Sequence, residues 1–104
     1  MQFTGNENHK INLADAAVLT KNYRDTAGAN ALQSSYFGKS ALLTMLNQAN
    51  SVGLRIYNAL GADGKQTFVL VGVNSDGDDL TNGELAEFGA GCPPFCSKSN
   101  ELTG

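Results

Sequence analysis

The sequence predicts an α+β domain: a central antiparallel β-hairpin over about residues 52–58 and 66–73, packed by two amphipathic helices at about 13–25 and 39–49, with a short third helix at about 82–88. Three observations carry this expectation. Two runs rich in β-branched and aromatic residues, Val52 to Tyr57 and Thr67 to Val73, flank a segment of Gly, Ala and Asp, the sequence form of a hairpin. Leu42, Met45, Leu46 and Ala49 recur at i, i+3, i+4 and i+7, which lays an apolar stripe along one helical face. Thr81 and Glu84 have capping-box spacing, and Leu80 with Leu85 occupy the places of a hydrophobic staple.

The elements follow in order. Residues 1–10 are polar and read as a loose arm that Phe3 could pin to a sheet edge. Asn12 is an N-cap candidate with Asp15 three residues on, where a carboxylate favours the positive end of a helix. Ala16, Leu19 and Tyr23 then recur at helical spacing. From Thr26 to Phe37 the chain reads as a connector, because Gly28 and the pair Ser34 and Ser35 interrupt a helix, while Tyr36 and Phe37 anchor it. Asn50, Ser51 and Gly53 close the second helix.

In the first strand Val52, Leu54 and Ile56 alternate with Arg55 and Tyr57. Its partner is apolar on both faces, Phe68 and Leu70 against Val69, Val71 and Val73, as suits a strand in the middle of a sheet or beneath helices on both sides. A hairpin alone is marginal in water. Further strands are therefore expected from the N-terminal arm, from residues 30–37, or from a second copy of the chain. NSDGDD makes an acidic turn at Gly77, Gly89 ends the third helix, and residues 90–104 form an irregular tail that holds both cysteines. With no internal repeat, residues 1–104 read as one domain.

Composition narrows the function classes. Apolar residues make up 41% of the 104 and charged residues 16%, enough for one core and less charge than the roughly 25% usual in globular domains. Up to Leu60 five basic residues face three acids; from Gly61 onward two face seven. Opposite halves of this kind can complement each other within the fold or between copies. No Lys and Arg cluster forms a nucleic-acid footprint. No apolar stretch approaches the roughly 20 residues that cross a bilayer, and MQFTGNENHK lacks the pattern of a secretory signal, so a cytoplasmic protein is expected.

Chemistry has few candidates. Cys92 and Cys96 enclose Pro93, Pro94 and Phe95, and packing thiols, a disulfide, half of a metal site and a redox pair all stay open. The C-x3-C spacing departs from the C-x2-C of thioredoxin-like sites. A disulfide needs Cα atoms about 4.4–6.8 Å apart where four extended steps reach about 13 Å, so the prolines would have to turn sharply. For zinc the only further soft ligand is His9. Asp76, Asp78 and Asp79 are cation candidates, although an EF-hand register fails: with Asn74 first, the sixth residue is Asp79 and the twelfth is Leu85. Tyr23, Arg24, Arg55 and Tyr57 could line an anion-binding groove through guanidinium forks; the alternative is that Arg55 pairs with an acid of the 76–79 turn while Tyr23 packs. No nucleophilic triad or phosphate-binding glycine motif assembles, and no cofactor is implied.

The segments LADAAVLTKNYRD, YFGKSALLTMLNQ, VGLRIYNAL, FVLVGVNSDGDDL and GELAEFGAGCPPFC together resemble a family of short, uncharacterised bacterial proteins. The resemblance covers about residues 10–97. It implies that Tyr23, Arg24, Phe37, Gly38, Gln48, Arg55, Tyr57 and both cysteines matter, and it brings no activity, substrate or partner. The expected function is a small binding or protein-interaction module without catalytic activity, self-associating through a strand edge. One alternative is thiol-redox or metal chemistry at Cys92 and Cys96. The other is a small enzyme or binder for an anionic ligand that uses Arg24 and Arg55.

Overall fold

In a computed structural model that describes residues 2–104, the elements run α1 (Leu13–Ala27), β1 (Ser34–Tyr36), α2 (Lys39–Leu46), β2 (Gly53–Leu60), β3 (Gln66–Val73), β4 (Leu85–Ala86) and β5 (Ala90–Cys92). They fall into two compact units. One comprises the chain up to Glu7 with Tyr36–Gly89; the other comprises Asn8–Ser35 and Ala90–Gly104.

The first unit is built on the hairpin. β2 and β3 pair antiparallel, from Gly53 opposite Val73 to Leu60 opposite Gln66. The loop between them closes with Gly61 N–H donating to the Lys65 carbonyl at 2.8 Å, and Gly64 takes a φ of +79° that side chains resist. β4 adds on the far side of β3, with Leu70 opposite Ala86 and Val71 opposite Leu85. As the middle strand, β3 carries the buried Leu70, Val71 and Val73, which explains why it is apolar on both faces. α2 rests on β2 and β3. Its Met45 is 1% exposed, the one large side chain wholly enclosed among the described residues, and burying such a side chain stabilises by roughly 1.5–3 kcal/mol.

Two expectations for this unit are corrected. The third helix at 82–88 is absent: Thr81–Gly83 form a turn, Gly83 N–H donates to the Leu80 carbonyl at 3.0 Å, and the chain continues into β4. The Glu84 N–H that a capping box would satisfy goes instead to Gln48 Oε1 at 2.8 Å. A segment of seven residues holding Gly83 cannot meet the cost of helix nucleation, whereas Leu85 and Ala86 gain a ladder beside β3. The second helix stops at Leu46 and not at 49. Gln48 Nε2 turns back to the Met45 carbonyl at 2.8 Å, and Asn50 adopts the left-handed φ of 70° that Asn tolerates.

In the second unit Asn12 caps α1, its side chain accepting from Asp15 N–H at 2.8 Å, and Gly28 ends the helix at φ +89°. No residue of α1 is buried. The expected packing of two helices over the hairpin is therefore also corrected: α1 belongs to this unit, and α2 alone contributes an enclosed side chain to the hairpin sheet. At about 100° per residue, the large apolar residues Leu13, Val18 and Leu19 scatter around α1, while Leu19 and Tyr23 stand one turn apart on the side that Ala16 begins. β1 and β5 form a two-stranded sheet of their own. The strand expected from residues 30–37 therefore exists but does not extend the hairpin. Among the described residues no helix is long and apolar enough to cross a membrane.

Candidate functional site

α1 supplies one wall of a cavity of about 480 Å³ in the second unit, through Leu19, Thr20, Tyr23 and Arg24. Helical spacing places these four on one side, since 19 and 23, and 20 and 24, are each one turn apart. The opposite wall comes from Gln33 and Ser34, from Cys92, and from the tail residues Ser97, Asn100, Leu102 and Thr103. Arg24 joins the walls. Its Nη1 donates to the Leu102 carbonyl at 2.7 Å and to Thr20 Oγ1 at 3.4 Å. Tyr23 donates its hydroxyl to the Leu32 carbonyl at 2.9 Å.

The tail is ordered by its own polar groups. Asn100 Oδ1 accepts from Leu102 N–H at 2.7 Å and from Thr103 N–H at 3.2 Å, while Asn100 N–H donates to Thr103 Oγ1 at 2.8 Å. Sequence reasoning passed over this segment. The signal was present in N-E-L-T, an Asn and a Thr spaced to bond each other's backbone. Cys92 and Cys96 stand at disulfide-bonding distance with Cα atoms 4.7 Å apart. The chain reverses through Pro93 and Pro94, each preceded by a cis peptide bond, and Phe95 N–H donates to the Gly91 carbonyl at 3.0 Å. Cys92 is buried, and its carbonyl accepts from Gln33 N–H at 2.8 Å.

Of the four residues proposed for an anion groove, Tyr23 and Arg24 line this cavity. Arg55 and Tyr57 belong to the first unit, where both converge on Asp79. Arg55 Nη1 lies 2.5 Å from Asp79 Oδ1, and the Tyr57 hydroxyl donates to Asp79 Oδ2. The side chains of Arg55 and Asp79 are 34% and 20% exposed, so the pair is only partly screened. The Tyr57 hydrogen bond and then Arg55 hold the Asp79 carboxyl below its ordinary range. Reciprocally, the bond to Asp79 raises the pKa of Arg55 and of Tyr57. Asp76 and Asp78 sit in a turn that Asn74 organises, its Oδ1 accepting both their N–H groups at 3.0 Å. Among the described residues no three His, Cys, Asp or Glu are grouped so as to hold a metal ion.

Gln48 does structural work in the first unit. It bridges the end of α2 to the turn before β4 through the Met45 carbonyl and the Glu84 N–H. Gly83 lets it do so, since a Cβ there would meet Gln48 Oε1 at 2.0 Å.

Compared with family models, with curated proteins and with solved structures, the chain finds no match.

Proposed function

We propose that the protein is a small-molecule binding module whose ligand occupies the cavity of the second unit. The observation that carries this reading is the cavity itself. At about 480 Å³ it falls within the range of small-molecule sites, and it combines apolar walls with a few convergent polar groups as such sites do. Those polar groups are hydroxyls, amides and one guanidinium, which orient a ligand by hydrogen bonding. The test is a ¹H–¹⁵N titration with a fragment set of uncharged, acidic and basic members. At least one fragment is expected to shift the amides of Thr20, Gln33 and Ser97 together at millimolar concentration. A set that moves no cavity amide would refute the reading.

In this reading the two cysteines are joined, and the bond holds Ser97 and the residues after it against the cavity. A disulfide that persists suits an oxidising location, an alternative to the cytoplasmic one expected from the lack of a signal pattern and of a membrane-spanning stretch. Alkylation before and after reductant checks this: native protein is expected to show no free thiol and reduced protein two. Two thiols labelled without reductant would remove the bond from the proposal.

A further inference from the structure

We infer that the ligand of this cavity is a small amphipathic monocarboxylate, its carboxylate on the Nε and Nη2 edge of Arg24 and its hydrocarbon part against Leu19, Tyr23 and Leu102. The inference rests on the cavity being the binding site.

Charge decides the sign of the ligand. Among the described residues, Arg24 is the only ionised side chain that lines the cavity. A cationic ligand would meet a like charge and find no carboxylate to pair with, whereas an anion gains a charge-assisted hydrogen bond.

Geometry decides the head group. The two hydrogens on Nη1 are spoken for by the Leu102 carbonyl and Thr20 Oγ1. These bonds fix the plane of the guanidinium from two elements, so a ligand does not have to order it. Nε and Nη2 make no hydrogen bond to the described residues, and their parallel N–H groups form the two-donor edge that matches the two oxygens of a carboxylate. Gly104 packs beside this part of the guanidinium with no side chain to cover it. A Cβ at that position would stand 2.7 Å from Nη2, 2.8 Å from Cζ and 2.9 Å from Nε.

One guanidinium balances one negative charge, which selects a carboxylate over a phosphate monoester carrying nearly two. The remainder of the ligand is apolar because the walls it would touch are mainly hydrocarbon: two leucines and the ring of Tyr23, whose hydroxyl is already turned to the Leu32 carbonyl.

The experiment titrates the full chain with hexanoate and 3-phenylpropionate, with the amides of both acids, and with hexylamine, and follows cavity amides and the Arg24 Nε–H by NMR. Both acids are expected to bind about tenfold more tightly than their amides, the difference that a hydrogen bond to a charged group makes, and to move the Arg24 Nε–H most. Hexylamine is expected to bind more weakly than either amide. Amides that bind as tightly as the acids would overturn the carboxylate assignment and leave the cavity reading standing, as would hexylamine binding best. If none of the five moves a cavity amide, the binding site itself is wrong and both readings fall. Arg24→Met, shown to be folded by circular dichroism, is expected to abolish the preference for acid over amide. Should that variant not fold, Arg24→Lys keeps the charge without the two-donor edge and is expected to bind the acids several-fold more weakly. A preference undiminished in whichever variant folds would overturn the assignment.

Discussion

Replacing Met45 by alanine tests whether α2 is seated on the hairpin through one enclosed side chain. Met45 is 1% exposed, so truncation removes three buried groups of about methylene size, roughly 2.4 kcal/mol at about 0.8 kcal/mol each. If the walls close over half of the ~70 Å³ vacated, the residual cavity adds about 1 kcal/mol at roughly 24 cal/mol per Å³. The expected loss is therefore about 3–3.5 kcal/mol. Against the ~5–15 kcal/mol that holds small domains folded this is a large share, and it corresponds to a fall in Tm of roughly 12–28 °C. Urea melts followed by far-ultraviolet circular dichroism read it directly, with the midpoint moving and the slope m unchanged. Leu43→Ala is the control. That side chain lies on the same helix at 44% exposure, and its loss is expected to be less than about 1 kcal/mol. A Met45→Ala loss below ~1 kcal/mol, or one equal to that of Leu43→Ala, would refute the seating of α2.

Three further outcomes follow from particular contacts. Gln48→Ala removes the bonds to the Met45 carbonyl and the Glu84 N–H; the expected loss is about 1–3 kcal/mol, with faster hydrogen exchange at the Glu84 amide, and unchanged exchange there would contradict the bridge. Asp79 is held ionised below the ordinary carboxyl range by Tyr57 and Arg55, so its stabilisation is complete above the unfolded value of about 3.9 and is lost as pH falls through the lower folded value. The gap in urea midpoint between wild type and Asp79→Asn should accordingly be constant above about pH 4 and narrow below it; a gap independent of pH down to about 2 would count against the cluster. Reducing the Cys92–Cys96 pair, four residues apart, is expected to cost about 2 kcal/mol from the small loop it closes, and thermal melts with and without dithiothreitol that coincide would show that the link contributes nothing.

What could be read from the sequence is what neighbouring residues encode by themselves. The apolar runs at 52–57 and 67–73 already mark two strands, because alternation and the Gly and Asp between them act within a few residues. Asn12, two residues after Lys10 and three before Asp15, likewise marks the start of α1, as its side chain needs only the next turn. Where local signals competed, partners elsewhere in the chain decided the outcome. Thr81 and Glu84 carry a helix-start pattern, yet the Glu84 N–H is claimed by Gln48, 36 residues away, and Leu85 is claimed by Val71. The site shows the same division. Tyr23, Arg24 and Cys92 stand out by residue type, but nothing near them in sequence says that Arg24 reaches Leu102, 78 residues on, or that Arg55 meets Asp79 at a separation of 24. Periodicity determines which face of an element is apolar and where it starts. Which elements meet depends on contacts whose ordering cost is recovered only when the whole chain has folded, and for that reason only the tertiary structure could bring the cavity's walls together.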